Sequence, residues 1–491
     1  MINRPLEYSL RLFGVWPDSS YQTLKTIVWA IIMLTFLVFQ YWFCITHIMS
    51  SLTELLDGLS YALSNLLVFL KLIVIWLHKR MFYEILATMF EDWNNDNSTI
   101  ENKRIIVDKV MLSSRITNFL IGYFGITFLL YTGLALAQLD EDQDSSEPKR
   151  RMFLIRMEFP FSATDSPCYE IILAVQFILE SFIVYGAATS IALIAALMLH
   201  VGSQIDLLCQ KLSQISHNSG KRSQRALMFD VVIRHQRIIQ LSKNIETIFT
   251  FISLCQFLSN MLVICFISFI LVVSIHMEQT TVLIMKCLPY YIAINCEAFI
   301  LCYTGEYLTS KSETITKSVY NILWYDLKHQ DARIILLMML RSQKPLTLTA
   351  GKFVRLSLEA FTNMLRASAS YVSVLYAIKF FDILMTLFED WNNGNNSTSE
   401  DKRIISDSST LCSRISNFLI GYYMSETITK SVYNILWYNL GPQDARVIIL
   451  ILLRSQKLLT LTAGKFVSLS LEVFTNVRRL ILCVMRKSLK H

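Results

Sequence analysis

Residues 171–199 read IILAVQFILESFIVYGAATSIALIAALML, and Glu180 is the single charge in the run. A helix needs about 20 apolar residues to cross roughly 30 Å of hydrocarbon, so this stretch is long enough to span a bilayer. It shows no strict alternation of apolar and polar residues, which argues for a helix over a barrel strand. Lipid offers a bare backbone no hydrogen-bond partner, so a spanning segment of this kind must bond within itself. Further apolar stretches run over 26–48, 59–78, 118–139, 247–275, 281–303 and 347–377. Hydrophobic residues make up 53% of the chain and charged ones 17%, a balance that belongs to membrane proteins. The expectation is an all-α polytopic membrane protein with seven transmembrane helices.

Lysine and arginine orient it. If the N-terminus is inside, the internal segments are 1–25, 79–117, 200–246 and 304–346, with 3, 6, 7 and 6 basic residues. The external segments 49–58 and 276–280 have none, and 140–170 has Lys149, Arg150, Arg151 and Arg156, set among acids. Basic residues gather on the cytoplasmic side, so the N-terminus is expected there and helix seven should end outside. This is the reverse of a seven-helix G-protein-coupled receptor. Residues 1–25 lack the apolar core of a signal peptide, so the first span is expected to act as its own insertion signal. The net charge of +7 is then a topology signal, because no soluble segment carries a basic stripe interleaved with aromatics. No nucleic-acid partner is expected; lipid is.

The motifs of common chemistry are missing. There is no phosphate-cradling glycine loop, no HExxH and no GxSxG. The eight histidines are scattered, and the ten cysteines form no CxxC. Cys168 is the one clearly external cysteine of the main body, which excludes a framework of disulfides. An enzyme is not expected, nor a metal or cofactor. Ionisable residues inside the spans are expensive unless paired or solvated. Lys71, Glu180 and Glu297 are such residues, whereas Lys286 sits near a span end from which it can snorkel. They mark either a hydrated cavity or ion path, or a structural pair such as Lys71 with Glu297.

Between the spans the cytoplasmic segments keep a helical pattern. Ile205, Leu208, Leu212 and Ile215 recur at helical spacing, as do Ile315, Val319, Ile322 and Leu323. Apolar faces outside lipid must be covered. A cytoplasmic helical bundle, anchoring through 200–246 and 304–346, would cover them; a membrane surface or a partner helix are the alternatives.

The chain also ends twice. Residues 312–363 and 425–476 are identical at 42 of 52 positions. FEDWNNDNSTIENKRII at 90–106 returns as FEDWNNGNNSTSEDKRII at 388–405, and SRITNFLIGY at 114–123 returns as SRISNFLIGY at 413–422. Nothing in the tail matches 124–311. Stacked repeat architectures use short units at a fixed period, which this is not. Residues 378–491 therefore read as a truncated duplicate of 81–123 joined to 312–366, from a gene fusion or an artefact of joining two genes. The functional body is 26–377, after a cytoplasmic 1–25 and with 347–377 as the last spanning helix.

RLFGVWP at 11–17, FPFSATDSPCYEI at 159–171, CYTGEYLTSKSETITKSVYNILWY at 302–325 and LLMMLRSQKPLTLTAGKFVRLSLEAFTNMLRASASYVSVLY at 336–376 resemble the insect odorant receptors. The last of these is the family's most specific stretch, and the resemblance covers nearly all of 1–377. It implies an odorant-gated, non-selective cation channel of the plasma membrane of sensory dendrites. A ligand-binding subunit would assemble with the odorant receptor co-receptor, four subunits around one pore. The resemblance further implies that helix seven splits, with 329–344 in the anchor and 350–377 lining the pore. Matched to the family's last helix, Tyr371, Val374, Leu375, Ala377 and Ile378 fall near the gate, though the family's co-receptor is polar where this chain has Ala377. A gustatory-type channel of the same superfamily and a non-functional fused product are the alternatives. A volatile ligand binds through apolar burial, at about 25 cal/mol per Å², with few polar anchors. The outer halves of helices two to six offer Tyr61, Ser64, Phe128, Tyr131, Thr132, Phe177, Ser181, Phe182, Phe269, Tyr290 and Tyr291 as candidates.

Overall fold

The computed structural model describes residues 3–17, 21–47, 52–96, 100–143, 153–161, 163, 165–217, 221–274, 280–322, 324–372 and 375, with the pairs 462–463 and 467–468. Two compact units divide the chain, Met1–Leu365 and Arg366–His491. The first unit is helical: α1 (Arg4–Leu12), α2 (Gln22–Thr46), α3 (Leu52–Leu77), α4 (Lys79–Asp96), α5 (Ile100–Gln143), α6 (Cys168–His217), α7 (Lys221–Ser274), α8 (Thr280–Tyr320) and α9 (His329–Ser342). Among the described residues six helices are long and apolar enough to cross a membrane, α2, α3 and α5 to α8. Each contains or closely matches one expected span.

The short α1 shows how the N-terminal motif is used. Pro5 opens the helix, where a missing N–H costs nothing. Leu6 and Leu10 turn inward, Ser9 Oγ meets Thr189 Oγ1 at 2.8 Å, and Tyr185 donates to the Pro5 carbonyl at 2.5 Å. Gly14 then reverses the chain at φ +71°, and a β-carbon there would lie 2.8 Å from the Gln22 carbonyl oxygen. The turn stacks Phe13 on Trp29, 5.5 Å between ring centres.

Helices α5 to α8 run far past their apolar stretches, as the helical periodicity predicts. Ile205, Leu208, Leu212, Ile215, Ile315, Val319 and Ile322 are all buried in one continuous core with the membrane-level residues. Burying each such side chain contributes about 1.5–3 kcal/mol, which holds this extension together without lipid. Polar ties fix its register: His200 Nε2 lies 3.1 Å from Asp92, Arg237 pairs with Asp92 at 3.0 Å and with Glu91 at 2.8 Å, and Lys311 pairs with Asp206 at 2.5 Å. Helix α4, which no expected span contained, is thereby clamped to α6 and α7.

The expected seventh span, 347–377, is not one helix. A two-stranded antiparallel ribbon, β1 (Thr349–Ala350) with β2 (Val354–Arg355), occupies its start. Helix begins only at 358 and runs to 372 in the described residues. The cause is local. Pro345 and the β-branched Thr347 and Thr349 disfavour helix. Gly351 and Lys352 at φ +61° and +64° make the reversal. The ribbon is seated on α7, where Gly351 N donates to the Thr250 carbonyl at 2.9 Å and Thr349 Oγ1 to Glu246 at 3.0 Å. Leu348, Ala350 and Leu356 are buried against the core. So residues 350–357 are ribbon and turn, not pore-lining helix.

Of the second unit, residues 366–372 are helical and a second ribbon pairs β3 (Thr462–Ala463) with β4 (Val467–Ser468). Its TLTAGKFV repeats that of the first ribbon, and the registers correspond: Ala350 faces Val354, and Ala463 faces Val467. The other residues of the expected duplicate, 378–491, lie outside the described residues.

Candidate functional site

Where α3, α5, α6, α7 and α8 converge, they leave a cavity of about 100 Å³. Its walls follow two helical faces. On α3 they are Tyr61, Ser64, Asn65, Leu67, Val68 and Lys71; on α8 they are Tyr290, Ala293, Ile294 and Glu297. Leu67 apart, both sets recur three or four residues on, the spacing of one helical face.

The aromatic end is built by stacking. Tyr61 lies parallel to Tyr290 with ring centres 5.1 Å apart, and tilts against Tyr131 at 5.2 Å. The Lys286 ammonium sits over the Tyr131 ring at 4.5 Å. Ser64 Oγ and the Tyr290 hydroxyl are 2.7 Å apart. The Tyr131 hydroxyl donates to the Leu154 carbonyl at 3.3 Å.

The polar end holds the three ionisable residues. Lys71 Nζ donates to Glu297 Oε1 at 3.1 Å and to Ser190 Oγ at 3.0 Å. Both charged side chains are 4% exposed, so the structural pair read from the sequence forms. It also lines the cavity, so the two readings weighed for these residues meet at one place. Glu180 takes a hydrogen bond from Asn65 Nδ2 at 2.6 Å.

A strap closes the aromatic end. Leu154 and Ile155, from the segment 153–161, are buried and form part of the wall. Gln176 holds the Ile155 backbone at both ends, accepting from N at 3.4 Å and donating to O at 3.2 Å. Arg156 points the other way, to Glu54 at 3.4 Å and Asp57 at 3.3 Å. Phe159 packs on Phe39 at 4.8 Å.

The eleven sequence-derived ligand candidates divide. Tyr61, Ser64, Phe128, Tyr131 and Tyr290 come together on the wall. Thr132 is buried without reaching it. Phe177 is 39% exposed and backs the wall through Phe128, 5.4 Å between rings. Ser181 spends its hydroxyl on the Phe177 carbonyl at 2.7 Å. Phe182 faces the other way, onto Trp29 at 5.1 Å. Phe269 is fully buried elsewhere along α7, and Tyr291 points about 100° round α8 from Tyr290. Of the gate candidates, Tyr371 and Leu375 are helical and half-buried, while Val374, Ala377 and Ile378 lie outside the described residues. Among the wall residues missed were Asn65, Leu154, Ile155 and Asn260. The three-and-four spacing from Tyr61 through Lys71 was available as a signal for Asn65, and the apolar Phe-Leu-Ile inside a charged loop for the strap.

A family model described as 7tm Odorant receptor matches residues 51–369 and again 422–482. Odorant receptor 13a of Drosophila melanogaster is 22% identical over 410 residues, 76% of this chain and 94% of that protein. Odorant receptor 10 of Aedes albopictus is 28% identical over 215 residues, 43% of this chain and 56% of that protein. The structure of the insect olfactory receptor OR5 from Machilis hrabei in complex with eugenol superposes with a TM-score of 0.64 at 16% identity. That match covers 76% of this chain and 97% of that one.

Proposed function

The chain belongs to the 7tm odorant receptor family, and we propose that it is the ligand-binding subunit of an odorant-gated, non-selective cation channel that works with the family's co-receptor. The observation that carries this reading is the largely apolar cavity among the long apolar helices α3 and α5 to α8. Aromatic and aliphatic walls with a few polar anchors are what a small volatile molecule needs, because its affinity comes from burial. Tyr61, Phe128, Tyr131 and Tyr290 supply the apolar contact, and Ser64 with Tyr290 supplies hydroxyls. Catalytic machinery plays no part in this reading.

The N-terminus is cytoplasmic in this proposal, which the distribution of Lys and Arg supports. The helical extension beyond the spans is the anchor between four subunits, and the segment from 358 onward lines the pore, with Tyr371, Val374, Leu375, Ala377 and Ile378 toward the gate. The receptor acts in the plasma membrane of a sensory dendrite. Residues 378–491 are a fused partial copy with no channel function of its own. The second family match at 422–482 and the repeated ribbon support that part of the reading.

The test is electrical. Co-expression of this chain with an odorant receptor co-receptor should give odorant-evoked cation current, and this chain alone should give none. Robust current from this chain alone would count against the assignment.

A further inference from the structure

The polar groups on the cavity wall are unevenly satisfied. Lys71 and Glu297 neutralise one another, and Ser64 pairs with Tyr290. Two buried wall residues keep polar atoms without a protein partner among the described residues. Glu180, on α6, is 5% exposed, and the hydrogen bond from Asn65 reaches one of its oxygens, Oε1. Asn260, on α7, is 2% exposed. Its Oδ1 accepts from Gln256 Nε2 at 3.0 Å, while its Nδ2 has no hydrogen-bond partner among the described residues. Both side chains belong to the wall. An unmade hydrogen bond at a buried polar group costs about 1–3 kcal/mol, so a ligand that makes it gains affinity beyond its apolar contact.

Resting on the reading of this cavity as the odorant site, we propose that its ligands are small alcohols, whose hydroxyl is held by Glu180 and Asn260. A hydroxyl is the smallest group that both donates and accepts. It gives its proton to the Glu180 carboxyl and takes the Asn260 amide N–H on a lone pair. An ether or carbonyl accepts alone and leaves Glu180 unserved; a hydrocarbon leaves both. Size narrows the class. A cavity of about 150 Å³ admits benzene, a molecule of six heavy atoms, so the space here suits about that number or fewer. The surrounding Tyr61, Phe128 and Tyr290 take the hydrocarbon part.

The matched probes are 1-pentanol, 1-methoxybutane and hexane, each of six heavy atoms. They are applied to cells expressing the full-length chain with co-receptor. The expected result is a half-maximal concentration for 1-pentanol about tenfold below that of 1-methoxybutane, the effect of one well-made hydrogen bond, and about a further tenfold below that of hexane, which makes neither. Glu180→Leu and Glu180→Met should each remove the advantage over 1-methoxybutane, whereas Asn260→Leu should weaken 1-pentanol and 1-methoxybutane alike and cut only their advantage over hexane, about tenfold. Ratios between probes cancel differences in surface expression, and the ranking in the unmutated chain needs no variant to fold. Equal potency of 1-pentanol and 1-methoxybutane would overturn the proposal. So would an advantage over 1-methoxybutane that survives both Glu180 substitutions, or an advantage over hexane that Asn260→Leu leaves unchanged. Silence to the three probes, in cells that answer other volatiles, sinks the alcohol class and spares the receptor reading. If no volatile evokes current with both subunits at the surface, the channel reading fails. Saturation-transfer NMR of the same probes with the purified full-length chain in nanodiscs then decides the alcohol site separately. A 1-pentanol preference lost in the variants upholds it, and no preference removes it.

Discussion

Replacing Lys71 with Leu should be among the most damaging single changes in this protein, and replacing Glu297 with Leu as well should undo most of the damage. The pair is 3.1 Å apart, and each side chain is 4% exposed. Ser190 is the further partner of the ammonium. Removing one member of such a pair leaves an uncompensated buried charge, which costs about 3–5 kcal/mol. That is roughly two to three and a half powers of ten in the folding equilibrium. Replacing both by apolar residues removes the desolvation cost together with the attraction, so the double variant should lie near the parent. A double-mutant cycle reads the difference: with each single variant down by about 3–5 kcal/mol and the double near the parent, the coupling is about 6–10 kcal/mol. The four proteins would be compared by thermal unfolding in nanodiscs and by the fraction reaching the cell surface. A Lys71→Leu protein as stable as the parent would refute the reasoning. A double variant no better than the singles would do so too, because it would show that the two residues act apart.

Three further outcomes are expected. Tyr290→Phe removes the partner of Ser64 and should shift odorant sensitivity about fivefold, the worth of roughly one hydrogen bond; unchanged dose–response curves would take Tyr290 out of the site. Gln176→Leu orphans the Ile155 N–H and C=O and should cost about 2 kcal/mol of stability, with weakened odorant responses because Ile155 forms part of the wall; an unaltered response would free the strap of any role. Truncation near Ile378 should leave odorant-evoked current equal or larger, and Asn97 in its Asn-Ser-Thr sequon should carry no glycan because the proposed topology places it inside. Lost trafficking after truncation, or glycan on Asn97 by mobility shift, would overturn the respective claim.

The sequence alone was enough for the helical membrane class, the position of six spans and the helical extension beyond them. Those properties are local. A run such as 171–199 is apolar whatever surrounds it, and Ile205, Leu208, Leu212 and Ile215 keep their spacing before any partner is known. The start of the last helix was misjudged because hydropathy counts Leu348, Ala350, Phe353 and Val354 as apolar and ignores backbone sign. Gly351 and Lys352 at positive φ decide for a ribbon there. The cavity needed the tertiary structure. Its contacts join residues far apart in the chain, with Ser64 and Tyr290 separated by 226 positions and Asn65 and Glu180 by 115. Within spans that are apolar all round, no pattern marks which face turns inward. Phe182 and Phe269 looked as suitable as Phe128 for that reason, yet Phe182 lies on Trp29 and Phe269 is buried away from the cavity. The rotation of each helix about its own axis is set by how its side chains interlock with its neighbours, and only the packed bundle contains that information.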